Sequence, residues 1–263
     1  MVDRQPDLPQ IFKGIALFTP GGDLIYGVDP SKQSKWHFHL CLGLQEIWGL
    51  SDPPHFLVPG YTATVERYFD SQTQKIKTIA EAYPAVQSYI PLLQVLFNLK
   101  ATQEWQIAPW QEEHCNRAVL ETYRDRFSQL WEDRDLIVRL DPKHFEEGEP
   151  IELRDASTEN LDFSTSVAIS DIENTRGYIL HLFISSDRPT AEQTLASIHQ
   201  VLERGLTNPY TLRIIDIAKN PEQAEIYQVA ATPTLVRVWP QPVKRIVGQL
   251  DDIQRVIRII SSL

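Results

Sequence analysis

The chain has 263 residues, 42% hydrophobic and 23% charged, a mix that excludes global disorder and suits one large globular domain or two ordinary ones. Its net charge of −10, from 25 basic and 35 acidic side chains, argues against nucleic acid or an anionic membrane as a general partner. The longest apolar stretches, such as Ile90–Leu99, fall well short of a membrane span, and the start MVDRQPDLPQ lacks the basic and apolar runs of a secretory signal, so a cytoplasmic location with Cys41 and Cys115 as thiols is expected.

Residues 1–140 open with IALFTPGGDLIYGV, where two β-rich runs flank Pro20-Gly21-Gly22-Asp23. Glycine accepts the positive φ of tight turns, so the pattern predicts a hairpin. WHFHLCLGLQEIWGL reads as a helix ending at Gly49, and SDPPHFLVPG as extended chain because of its prolines. Ile76–Leu99 reads as helix, kinked or divided at Pro84 and Pro91. Residues 111–131 read as a further helix, with Cys115, Val119, Tyr123, Phe127, Leu130 and Trp131 on one stripe. The expectation is an α+β, mainly helical domain holding all but one of the six tryptophans.

Residues 141–176 carry 3 basic and 10 acidic side chains and few large apolar ones. Such a segment buries too little surface to offset its ordering entropy and is expected to be an acidic linker. Its apolar positions, among them Ile151, Leu153, Phe163 and Val167, are suited to at most a short strand laid on a neighbouring domain.

Residues 177–263 carry 9 basic and 8 acidic side chains and alternate strands with helices. Tyr178–Ile184 is an apolar strand, and Pro189-Thr190 begins a helix with Thr190 and Gln193 at capping-box spacing and Gly205 at its end. Leu212–Ile217 reads as a central strand, and Asn220-Pro221 opens a short helix. Thr234–Trp239 and Arg245–Val247 read as strands around Pro240-Gln241-Pro242. Asp251 and Gln254 have the spacing to cap a last helix, whose Ile253, Val256, Ile257 and Ile260 form an apolar stripe. The order βαβαββα predicts an α/β domain with a thioredoxin-like fold.

Within it, LRIIDIAKNPEQAEIYQVAATPTLVRVWPQPVKRIVGQL, Leu212–Leu250, resembles the core of the KaiB family of circadian clock proteins. That family carries an ID(V/I)…NP…A…(A/V)TPTL…P.PV(K/R)R(I/V)(I/V)G run. Glu225-Ile226-Tyr227 is more similar to the N-terminal sensor domain of the clock kinase SasA. Both affiliations imply a non-enzymatic, clock-related adaptor or regulator that needs no cofactor, whose partner is the ring-shaped ATPase KaiC or a KaiC-like ATPase, with self-association as a further option. The resemblance also implies a cis bond at Thr232-Pro233, accessible because X-Pro peptides carry only a small cis penalty. KaiB proteins switch between two folds. Here Pro240-Gln241-Pro242 replaces a proline triplet, Gln249 stands where an Asp often follows the glycine, and an acidic tail is lacking, which leaves switching open.

A thioredoxin enzyme needs Cys-x-x-Cys between the first strand and helix; this chain has Ser185-Ser186-Asp187-Arg188-Pro189-Thr190 there and no cysteine in 177–263. Disulfide exchange by the domain is therefore excluded. The alternatives are a thiol-handling enzyme of the glutathione-transferase type using Ser185 or Ser186, and a KaiB-derived assembly domain without a clock role. The residues assigned to partner binding are Arg213, Lys219, Arg237, Lys244 and Arg245, with Tyr227 as an aromatic anchor. Such charges mainly raise the association rate and fix orientation; the plainer reading is a solvated rim.

Elsewhere the signals are weaker. His37, His39 and Cys41 would share a face on a strand and suit zinc, but the helical reading fans them apart, so no metal is expected. Trp36, Trp48, Trp105, Trp110 and Trp131 read as core or interface residues rather than the wall of a ligand cavity. Pro20-Gly21-Gly22-Asp23 lacks the Gly-Lys of a phosphate loop. Glu112-Glu113 and Asp251-Asp252 fit helix N-terminal charge better than catalysis.

Overall fold

The expected hairpin is present as β1 (Phe12–Phe18) and β2 (Leu24–Asp29), closed by a bond from Thr19 N to Asp23 O of 2.8 Å, with Gly22 at φ +103°. The computed structural model describes residues 8–32, 36–109, 116–141, 177–185 and 191–262. The expected linker beyond Asp141 lies outside these residues, as do Trp110, Glu112-Glu113, Cys115, Ser186 and Thr190. Helix α1 (Trp36–Trp48) ends as read from the sequence, because Gly49 takes a left-handed φ of +58°.

The rest of the N-terminal half departs from the helical expectation and is rich in sheet. Strand β3 (Thr62–Asp70) pairs in eight-residue register with β4 (Lys75–Ala82), and the two-residue β5 (Gln106–Ile107) follows β4. The expected helix over Ile76–Leu99 is therefore half strand. Ile76, Ile79 and Ala80 mimic a helical spacing, but alternation on the strand sets Ile76 on the side of the buried Ala80 and Ala82 and Ile79 on the other, and both isoleucines are solvent-exposed. Pro84 opens a 3-10 turn (Pro84–Tyr89), and Pro91 sits in the first turn of α2 (Ile90–Leu96), where its missing N–H costs nothing. The described part of 111–131 is also not one helix: α3 covers Arg117–Glu121 and a 3-10 turn covers Ser128–Trp131. Val119, expected in the stripe, is 40% exposed, whereas Phe127 and Leu130 are buried and Tyr123 stacks on Phe56 at 4.1 Å. His55–Leu57 forms a 3-10 turn within the proline-rich stretch.

Strand β6 (Asp135–Leu140) runs parallel to β2 and leads toward the C-terminal unit. There β7 (Tyr178–Ile184), α4 (Ala191–Gly205), β8 (Tyr210–Asp216), α5 (Pro221–Ile226), β9 (Thr234–Trp239), β10 (Lys244–Val247) and α6 (Ile253–Ser261) reproduce the βαβαββα order. The pairing is that of a thioredoxin-like unit: β7 parallel to β8, with β9 antiparallel to β7 and β10 antiparallel to β9. Thr232-Pro233 is cis, and so are Trp239-Pro240 and Gln241-Pro242. The cap of α6 is Asp252, whose side chain accepts from Arg255 N at 3.0 Å, one residue later than the expected Asp251.

All ten strands form one sheet in the order β10-β9-β7-β8-β6-β2-β1-β3-β4-β5. The seam is β6 against β8, antiparallel from Asp135↔Ile214 to Arg139↔Tyr210. One face carries a core shared by both halves, with Tyr26, Leu93 and Phe97 in the same cluster as Ile198, Leu212 and Val256 beneath α2, α4 and α6. Gly205 ends α4 where a Cβ would lie 2.1 Å from Ile257 Cγ1, so its lack of a side chain lets α6 close down. The opposite face holds a separate core under α1, including Ile15, Ile25 and Leu136, and a small cluster of Phe183, Ile215 and Val236 near α5.

Candidate partner-binding face

Strand alternation divides the predicted contact residues between two faces. In the β7–β8 register His181 lies beside Arg213 and Phe183 beside Ile215; across β10–β9 Arg245 lies opposite Val236. Phe183, Ile215 and Val236 are buried on the α5 side, so Arg213 and Arg245 share that side with them. Tyr227, just past α5, closes the cluster: its ring lies 4.8 Å from His181 and 5.6 Å from Phe183. Arg245 Nε donates to the Tyr227 carbonyl at 2.9 Å, tying β10 to the end of α5.

Arg237 belongs to the other side and is 2% exposed. Its guanidinium donates to the carbonyls of Ile260, Ser262 (2.7 Å) and Pro242 (2.9 Å), so it fastens the end of α6 to the β9–β10 turn. A side chain held this way is a structural clamp, which corrects its assignment to the contact surface. Lys244 shares that side, its Nζ donating to Ser262 O at 2.7 Å and Ser262 Oγ at 2.6 Å. Lys219 is exposed in the turn after β8, where its charge acts on Asp135 of β6. The structure thus gathers Arg213, Tyr227 and Arg245, leaves Lys219 at the margin, and turns Arg237 and Lys244 away.

Three members of the face escaped the sequence reading. His181 is 4% exposed; burial, with Arg213 beside it, pushes its imidazole down to about 4, so it is neutral at ordinary pH. Its Nδ1 has no hydrogen-bond partner among the described residues. Its signal was present as the one polar residue in YILHLFI. Ile226, 66% exposed beside Tyr227, and Val247, 53% exposed two residues beyond Arg245, are the other two. Half-buried Tyr227, exposed apolar groups and two guanidinium groups make a surface that is part apolar and part positive, with exposed Glu222 and Glu225 on α5 beside it. Interfaces favour that composition, with aromatic residues and Arg enriched and Lys depleted.

Among the described residues the face holds no nucleophile poised by a base, and neutral His181 has no carboxylate to orient it. Cys41 lies elsewhere, buried under α1, where burial pushes its thiol up to about 12. His37, His39 and Cys41 do fall on a helix, α1. Among the described residues no helix is long and apolar enough to cross a membrane.

Residues 181–261 match the model of the KaiB domain. The circadian clock oscillator protein KaiB of Prochlorococcus marinus (strain MIT 9211) is 41% identical over 80 residues, 30% of this chain and 70% of that protein. The KaiB protein of Acaryochloris marina is 39% identical over 80 residues, covering 77% of its length. Among solved structures, the N-terminal domain of Synechococcus elongatus SasA aligns over 39% of this chain and 87% of its own, at 21% identity and a TM-score of 0.27. A thioredoxin from Aeropyrum pernix aligns over 32% of this chain and 73% of its own, at 16% identity and a TM-score of 0.25. The strand order described above carries the fold.

Proposed function

Because the chain belongs to the KaiB family through residues 181–261, we propose that it is a circadian-clock-related binding protein that docks on KaiC or a KaiC-like ATPase ring. The docking surface is the face of Arg213, Tyr227 and Arg245, with exposed Ile226 and Val247 as its apolar contacts. The observation that carries this reading is the convergence of those residues from β8, α5 and β10 onto one side of the KaiB-like unit. The two guanidinium groups steer an acidic patch into place, and the Tyr227 region supplies the area removed from water.

Residues 1–140 and 177–263 are two units joined by the acidic stretch 141–176 and docked through the β6–β8 seam. The N-terminal unit senses, dimerises or recruits a further component. The unit with the family match holds no cysteine, which removes disulfide exchange and favours action by binding.

The test pairs the full chain with a KaiC-type ATPase and nucleotide, and in parallel with glutathione and a conjugation substrate. Saturable complex formation with the ATPase and no turnover with glutathione is the expected result. Turnover with glutathione, or self-association without ATPase binding, would replace this reading by an enzyme or an assembly domain respectively.

A further inference from the structure

A cleft of about 320 Å³ opens where α2 of the N-terminal half meets α4 of the KaiB-like unit. It lies on the opposite side of the sheet from the docking face, because α4 packs on the core shared by both halves. Pro91, Val95, Leu99 and Ala196 give it an apolar wall, with Leu8 at one side. Asn98, Ser197, Gln200 and Arg204 supply polar groups on the remaining surface.

The charges on this wall do not cancel. Glu203 also borders the cleft; its Oε1 accepts from Tyr26 Oη and from Tyr210 Oη (2.9 Å), while Oε2 has no hydrogen-bond partner among the described residues and faces Arg139 Nε at 4.0 Å. Arg204 is different. The Gln200 amide oxygen, oriented to suit both groups, accepts from Arg204 Nη1 at 3.2 Å and Nη2 at 2.8 Å, and among the described residues Arg204 pairs with no carboxylate. With Glu203 and Arg139 offsetting each other, one positive charge is left over among the described residues. A guanidinium offers five donors, so the Gln200 bonds leave some to spare.

We propose that this cleft binds a small aliphatic monocarboxylate, its carboxylate held by Arg204 with help from Ser197 and Asn98 and its hydrocarbon body against Val95, Leu99 and Ala196. Three features select that class. A single uncompensated cation calls for a monoanion, and the planar guanidinium matches a carboxylate. The apolar wall calls for a hydrocarbon body, and a volume at the lower end of the ligand-pocket range, roughly 300–1,000 Å³, limits its size. Since α2 and α4 belong to different halves, such a ligand binds both and stabilises their junction by mass action.

The probe is sodium hexanoate, with hexylammonium and 1-hexanol as controls, titrated into the full chain and followed by calorimetry and thermal unfolding. Hexanoate should bind saturably and raise the melting temperature, and hexylammonium should do neither. Arg204→Gln should weaken hexanoate by about tenfold or more, as expected for loss of a charged hydrogen bond, while leaving the unliganded melting temperature near that of the parent. Ser197→Trp should abolish binding by filling the cleft. If that variant misfolds, Arg204→Gln and the amine control still decide. Non-saturable uptake, equal binding of hexylammonium, or an unchanged affinity in Arg204→Gln would each overturn the proposal.

Discussion

The hydroxyls of Tyr26 on β2 and Tyr210 on β8 lie 2.6 Å apart, and both reach the Glu203 carboxylate from opposite halves of the chain. Arg139 of β6 completes the group, with Nε 4.0 Å from Glu203 and a 2.6 Å bond to the Leu206 carbonyl. Burial pushes the Glu203 carboxyl up and both tyrosine hydroxyls well up, while the charge of Arg139 pulls the carboxyl back down. This network and the strand seam beside it join the two halves.

Arg139→Met should therefore destabilise the full chain by about 3–5 kcal/mol, the usual cost of leaving a buried charge without its partner. Tyr210→Phe should cost about 1–3 kcal/mol, since one hydrogen-bond donor to the carboxylate is lost. Urea unfolding followed by separate probes of each half measures both. Coincident transitions are expected. A loss below about 0.5 kcal/mol in Arg139→Met would show that the network does not hold the seam.

Replacing Arg237 separates its structural role from a binding role. Arg237→Met leaves the carbonyls of Pro242, Ile260 and Ser262 short of a donor. A loss of about 2–4 kcal/mol is expected, summed over several charge-assisted bonds. Hydrogen exchange should accelerate first in α6. Unchanged stability with a slower association would return Arg237 to the contact surface.

His199 and Asp23 set opposite pH dependences. His199 is fully buried without a hydrogen-bond partner among the described residues, and burial pushes it down to about 4. The unfolded chain takes up a proton near pH 6.5 and the folded one does not, so stability is lost as pH falls from about 6.5 to about 4. For a shift of that size the loss is of order 3 kcal/mol. Asp23 behaves inversely. Burial pushes its carboxyl up to about 7 against the pull of Arg134, so its contribution is present at low pH and fades as pH rises from about 4 to about 7. His181, also near 4, adds to the acid side. His199→Leu should flatten the acid limb of a stability–pH curve, and Asp23→Asn the slope toward neutral. An acid limb unchanged in His199→Leu would show that this imidazole is not held neutral in the folded chain.

Gly205 tests how closely α4 and α6 pack. A methyl group there meets Ile257 Cγ1 at 2.1 Å, so Gly205→Ala requires the α6 side chain to move. Despite the better helix propensity of alanine, a net loss of about 1–3 kcal/mol is expected. A gain in melting temperature would mean that the two helices have room to adjust.

The C-terminal unit was legible because its signals are local. Gly205, Asn220-Pro221, the cis Thr232-Pro233 and the prolines after Trp239 punctuate it, and the apolar stripe of α6 repeats at helical spacing. The N-terminal half offers fewer such marks. Its β4 lies toward the sheet edge with Ile76 and Ile79 exposed, so the two-residue alternation that identifies a half-buried strand is blurred into a false helical period. Strand β6 is defined by pairing with a distant segment, Asp135–Arg139 with Tyr210–Ile214, which no local pattern reveals. Charge within the family-like run singled out Arg213, Lys219, Arg237, Lys244 and Arg245, but only strand register shows that Arg237 faces the core under α6.

On the proposed function, the face of Arg213, Tyr227 and Arg245 docks the chain on a KaiC-type ATPase. The most direct measurement is stopped-flow association of the full chain with that ATPase and nucleotide, for the parent and Arg213→Glu/Arg245→Glu, across ionic strengths. A saturable complex is expected, with an association rate that falls at least about tenfold in the double variant and loses much of its salt dependence. No complex at about tens of micromolar, or equal rates for the two proteins, would contradict it.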